Sequence, residues 1–89
     1  MNSIPLTSII GKTAYAYLVS LYIDEKNWVC WIPKNILTDE LRLLKAKQNT
    51  VLIMKNYDIE LHRGIEERKI FAKYFMEILS RCLRQSKQS

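Results

Sequence analysis

"NWVCWIPKN", residues 27–35, is the stretch on which the fold turns. Side chains along an extended strand alternate between the two faces of a sheet. Trp28, Cys30 and Ile32 therefore take one side, and Val29 and Trp31 take the other. Pro33 ends the strand, because it cannot donate to a ladder. A chain of 89 residues has core enough to cover one side of such a strand well, not both. The question is which tryptophan lies inside.

The segment before it supplies the partner. "TAYAYLVSLYI" (13–23) is rich in Tyr, Val, Ile and Leu and reads as a strand, and "DEKN" (24–27) as a polar turn. With Glu25 and Lys26 in the turn, Ile23 lies opposite Trp28, Leu21 opposite Cys30 and Val19 opposite Ile32. Opposed residues of an antiparallel pair share a face. One face then collects Tyr15, Tyr17, Val19, Leu21, Ile23, Trp28, Cys30 and Ile32, and is the core. The other holds Ala14, Ala16, Leu18, Ser20, Tyr22, Val29 and Trp31, with Trp31 and Tyr22 as an outer aromatic pair beside Lys34. A turn one residue longer swaps the faces.

Outward from the hairpin, "IPLTSIIG" (4–11) reads as an edge strand or extended arm, since Pro5 breaks it. "NILTDELRLLKAKQN" (35–49) changes to a helical period, with Thr38 or Asp39 as cap, and predicts a short helix over 39–47 that covers part of the second face. "TVLIMK" (50–55) is a continuous apolar run, as for a central strand. "NYDIELHRG" (56–64) suits a strand by alternation, or a short helix capped by Asp58 and ended by Gly64; the helix is the preferred reading. "IEERKIFAKYFMEILSRCLRQS" (65–86) predicts a long helix, with Phe71, Ala72, Phe75, Ile78, Leu79 and Cys82 on one face. In it Glu66 and Glu67 sit in the first turn, and Arg81 and Arg84 near the last. The expected fold is α+β: a small, mainly antiparallel sheet packed against a long C-terminal helix. Residues 1–86 form one domain and 87–89 a flexible tail.

The net charge of +5 is uneven. Residues 1–44 carry four basic and four acidic side chains, and residues 45–89 carry ten basic and five acidic. A basic half suits a polyanionic partner. Arg63, Arg68 and Lys69 cluster near Gly64, where the start of the predicted helix adds a positive dipole end. Lys73, Arg81 and Arg84 continue along that helix, although Glu77 interrupts the stripe. With Lys34 they form the candidate phosphate contacts, and Trp31 and Tyr22 the candidate stacking pair. A covering helix or a homodimer partner over Trp31 is the competing account of the outer aromatics.

Nothing in the chain points to catalysis. His62 is the single histidine, Cys30 and Cys82 sit among apolar residues, and Gly11 and Gly64 are isolated. No cofactor or metal is expected. The start of the chain lacks a signal-peptide pattern, and no stretch reaches the ~20 apolar residues of a membrane span. A cytoplasmic, non-enzymatic protein with reduced thiols is expected.

"GKTAYAYLV" followed by "WVCWIPKNIL" resembles a hairpin of small bacteriophage accessory proteins that ends in Trp-Ile/Leu-Pro-Lys-Ser. Trp31, Ile32, Pro33 and Lys34 match, and Asn35 stands where Ser is usual. "IELHRGI" (59–65) looks like the short helix of the same proteins, and the helix from Ile65 onward has no counterpart. The resemblance implies a phage or other mobile-element origin, with single-strand handling as the associated role. Two functions follow as expectations. The first is an accessory protein that binds nucleic acid, single strands included. The second is a small contact inhibitor of a host defence system, of the anti-CRISPR kind.

Overall fold

The computed structural model describes the backbone of residues 3–58 and 60–88, and the side chains of residues 3–57 and 60–82. It has the expected α+β architecture. Five strands follow one another in space in the order they occur in the chain: β1 (Ile9–Lys12), β2 (Ala16–Ile23), β3 (Lys26–Pro33), β4 (Val51–Asp58) and β5 (Arg63–Phe71). Every neighbouring pair is antiparallel. One helix, α1 (Ala72–Gln88), follows β5 directly and packs across one face of the sheet.

The β2–β3 hairpin has the expected faces with a different turn. Ile23 pairs with Lys26 and Leu21 with Trp28, so the two-residue loop is Asp24–Glu25. Both loop residues have positive φ, 51° and 64°. This is the left-handed geometry of the two-residue turns that match strand twist. The register differs from the expected one by two residues, an even number, so no side chain changes face. Val19, Leu21, Trp28, Cys30 and Ile32 are buried, Tyr17 and Ile23 pack against them, and Trp31 is exposed. Tyr15 does not belong to this core: it precedes the strand and is 83% exposed.

Three expected elements differ. The 39–47 helix does not form. Leu41 takes φ 63° and its N–H donates to the Thr38 carbonyl, while Leu37 bridges Leu43, so the segment is a tight turn. That turn seats Ile36, Leu37 and Leu41 in the core together with Ile4 from the N-terminal arm. The helix expected over 56–64 is instead the end of β4, a turn at 60–62 in which His62 has φ 52°, and the start of β5. Ile59, inside that segment, lies outside the described residues. The long helix expected from residue 65 begins at Ala72, because residues 63–71 pair with β4 along their whole length. Helical backbone runs to Gln88.

The two sides of the sheet are unequal. On the inner side, α1 contributes Ala72, Phe75, Met76 and Leu79 to one core with the strands, the 36–41 turn and Ile4. No element covers the outer side among the described residues. Val51, Ile53, Trp31, Tyr22 and Phe71 are all exposed there.

Candidate nucleic-acid interface

Strand alternation places the outer side chains in cross-strand rows. Leu18 pairs with Trp31, and Ile53 with Lys69. Cys30 pairs with Met54, which brings Trp31 beside Ile53 and joins these residues into one row across four strands. Val51 and Phe71 form the next row toward α1, beside Pro33. On the other side lie Ser20, Val29, Lys55 and Glu67, then Tyr22, Asn27 and Tyr57. The Tyr57 ring lies beside Gly64, its partner on β5.

The result is an open apolar surface with three charges on it. Lys55 and Glu67 form an ion pair at 3.7 Å, which leaves Lys69 as the unbalanced charge of these rows. Beyond Phe71 the surface turns the corner into α1. Phe71 and Tyr74 have ring centroids 6.2 Å apart, and Lys73 Nζ lies 5.1 Å over the Tyr74 ring. The 3₁₀ turn Lys45–Lys47 abuts the same corner: Thr50 and Gln48 carbonyls accept from the Ala72 and Lys73 N–H groups at the helix start. Lys73 thus lies at this corner, and Lys69 stands two residues before Phe71 on the outer side of β5. No acidic residue occurs between Glu40 and Asp58, or between Glu67 and Glu77.

The residues expected from the sequence to bind phosphate separate into several groups. Arg68 and Lys69 are neighbours on a strand and point to opposite faces. The Arg68 guanidinium lies on the inner side, 4.7 Å over the Trp28 ring and 3.6 Å from Glu66. Lys26 meets the same Glu66 at 3.0 Å. The hydrogen bond and charge of Lys26, with Arg68 nearby, hold the Glu66 carboxyl below its usual pKa. This charged triad lies over Trp28, with Ile78 of α1 lining the same hollow, so Arg68 and Lys69 do not form one cluster. No helix starts at Gly64, so the positive dipole end expected there is absent. Glu66 and Glu67 sit on a strand, not in a helical first turn.

Arg63 is exposed at the far end of β5 from Lys69, about 20 Å along the strand. Arg81 is exposed on α1, on the inner layer. The Arg84 side chain lies outside the described residues. Lys34 does not flank Trp31: its Nζ sits 4.9 Å over the ring of Tyr17, an inner-side residue. Trp31 and Tyr22 share the outer face but are no pair. Trp31 pairs with Leu18, four residues from Tyr22, a separation of roughly 13 Å along the strand.

Of the expected set, Trp31, Tyr22, Lys69 and Lys73 remain on or next to the open face. Phe71, Tyr74, Ile53, Lys45, Lys47 and Lys55 join them without having been singled out from the sequence. The acid-free run between Glu40 and Asp58 was the available signal for the lysines. The aromatic residues were hidden by the assumption that 65–71 is helical.

Neither thiol is poised for chemistry. Burial pushes Cys30 up to about 12. Burial, and then the negative charge of Asp24, raise Cys82. Among the described residues no group of His, Cys, Asp and Glu is placed to hold a metal ion, and no helix is long and apolar enough to cross a membrane. Comparison with family models, with curated proteins and with solved structures returns no match.

Proposed function

We propose that this is a non-enzymatic protein that binds single-stranded nucleic acid across the open face of its sheet, with phosphates held by the lysines at the β5–α1 corner. The observation that carries this reading is the coincidence of an uncovered face bearing Trp31 and Phe71 with Lys69 on that face and Lys73 at its α1 corner. Bases of any identity stack on aromatic faces, and lysines beside them track the backbone. A duplex presents no unstacked base to such a surface, so single strands are the fitting ligand. The likeness of the "WIPKN" hairpin to small phage proteins points the same way, toward an accessory role in a mobile element.

A gel shift with a single-stranded oligonucleotide at two salt concentrations tests the reading. Affinity falls with salt by a slope of about −0.7 per phosphate contact for single strands. Lys69→Glu and Lys73→Glu each flatten the slope by about one contact, whereas Arg68→Gln leaves it unchanged because Arg68 faces the other side. Trp31→Ala weakens binding at every salt concentration with little change in slope. Absence of any shift at low salt with tens of micromolar protein would reject the nucleic-acid reading. It would leave the apolar face as a contact surface for a protein, as a defence inhibitor requires.

A further inference from the structure

β1 and β5 are the edges of the sheet, and they differ. β1 is four residues long and shifts register against β2 between Ile9 and Gly11, so it offers little to a further strand. β5 has nine residues, none of them proline, and is exposed along its length except at Glu66 and Ile70, which are half-buried. The Ala72 N–H donates to the Thr50 carbonyl at 2.8 Å, in register with the Val51–Phe71 and Leu52–Ile70 pairs. Within one strand of an antiparallel ladder, such bonds come from every second residue. Ile70 and Arg68 therefore turn their N–H and C=O groups toward β4, and Lys69 and Glu67 turn theirs outward. Among the described residues no backbone hydrogen bond meets them there. The helix does not cover this edge. From Ala72, α1 runs across the inner side toward β2, where Cys82 Sγ donates to the Tyr22 carbonyl at 3.6 Å.

We infer that β5 pairs antiparallel with the β5 of a second copy of this chain, about a two-fold axis at Arg68, and so joins two five-stranded sheets into one. The charge pattern of the strand selects both the partner and the register. A two-fold axis normal to the sheet keeps outer side with outer side, so it passes between two copies of one residue. Placed at Glu67, the axis sets Glu67 against itself, and placed at Lys69 it sets Lys69 against itself. Like charges directly opposite destabilise a sheet. Placed at Arg68, it sets Glu67 of each copy opposite Lys69 of the other on the outer side. These are the residues whose backbone groups face outward, and each such pair exchanges both ladder bonds. Arg68 then meets its own copy on the inner side, but its guanidinium leans away from the edge: it lies 4.7 Å over Trp28, on β3, and 3.6 Å from Glu66. Lys69 gains an ion pair, and Glu67, 3.7 Å from Lys55 of its own chain, comes to stand between two cations. At the ends of the paired stretch the exposed Ile65 of one copy comes beside the exposed Phe71 of the other. The inference does not depend on the nucleic-acid reading. The outer face stays open, and the Lys69 ammonium has three donors, enough for a carboxylate and a phosphate together.

The test is sedimentation velocity of the full chain over a concentration series. An edge contact of this length falls below the ~1,200 Å² of standard interfaces, so the mass rises from monomer toward dimer between about 10 and about 500 µM. Lys69→Glu and Glu67→Lys each weaken dimerisation about tenfold or more, because each sets two like-charged pairs across the axis. The double variant Glu67→Lys/Lys69→Glu restores opposite charges in this register alone, and returns to within about threefold of wild type. Lys69→Pro removes an N–H that faces away from β4, so it keeps the fold by circular dichroism and abolishes the dimer. Hydrogen exchange of the wild-type chain gives a readout that needs no variant. The Glu67 and Lys69 amides gain protection as concentration rises, whereas those of Arg68 and Ile70 are protected throughout. A monomer at the highest concentration would overturn the inference. A dimer that ignores the charge swap, or one that Trp31→Ala abolishes, would lie on another surface and overturn it equally.

Discussion

Trp28 and Trp31 lie three residues apart, an odd step along a strand, and this alone sends them to opposite faces. Trp28 is 3% exposed beneath Arg68 and α1, and Trp31 is 48% exposed on the bare side. Acrylamide quenching of single-tryptophan variants checks this contrast: the Trp28→Phe protein, which keeps Trp31, is quenched strongly, and the Trp31→Phe protein weakly. Equal protection of both rings would mean that a second molecule covers the outer face. Cys30 gives a second prediction at this scale. Its pKa is raised to about 12 in the folded chain because burial disfavours the thiolate. The unfolded chain ionises near pH 8.5. The folded state therefore binds the proton more tightly, and its contribution to stability is complete below the unfolded pKa and fades as pH rises toward 12. In urea titrations from pH 8 to 11, the wild-type midpoint falls more steeply than that of Cys30→Ala, although the variant starts lower because of the lost packing. Parallel slopes would show that the thiol ionises equally in both states.

At the scale of elements, one turn, one strand and one helix explain where the sequence was legible. The β2–β3 faces follow from alternation alone and survive a misplaced turn, because the error was even. The turn was hidden because neither Asp24 nor Glu25 is the glycine that left-handed backbone favours. That geometry costs a non-glycine residue about 1–2 kcal/mol, against glycine's own entropic cost of about 0.5–1 kcal/mol. Glu25→Gly should therefore stabilise the protein by about 0.5–1 kcal/mol, read as a higher urea midpoint at unchanged slope. A lower midpoint would mean that the Glu25 side chain makes a contact worth more than the backbone cost. The segment 63–71 is the larger misreading. Its residues are mostly charged and its few apolar ones, Ile65, Ile70 and Phe71, fit either period, so local pattern could not outweigh the true helix that follows. The deciding term is non-local: the free edge of β4 takes a partner along eight residues. Such pairing leaves no mark within a short window of sequence. The helix proper was readable because its stripe is long. Phe75, wholly buried at its centre, should cost about 3–5 kcal/mol on change to Ala, while exposed Lys73→Ala should stay within about 0.5 kcal/mol.

At the scale of the whole molecule, the governing fact is one covered face and one bare one. The N-terminal arm, the 36–41 turn and α1 all pack on the inner side, so the chain builds its core there and leaves the outer rows to water. A continuous apolar run such as "VLIM" reads as a strand buried on both sides, yet here only Leu52 and Met54 meet the core. Leu52 and Ile53 are adjacent, similar in volume and equally apolar, and they differ only in the side they face, 3% against 44% exposed. That pair isolates sidedness from composition. Leu52→Ala removes core packing and should lower stability by about 2–5 kcal/mol. Ile53→Ala loses β-propensity and a few cross-strand contacts, and should cost about 1 kcal/mol or less. Binding should order the two variants the other way. Ile53 borders Trp31 and Lys69 on the outer face, so Ile53→Ala should weaken single-strand affinity several-fold in protein that is still fully folded, as checked by circular dichroism beside the gel shift. Leu52→Ala, assayed at a temperature where it remains folded, should bind more nearly like wild type. A large stability loss from Ile53→Ala would place a covering element over the outer face. That would remove the open surface on which the proposed function depends.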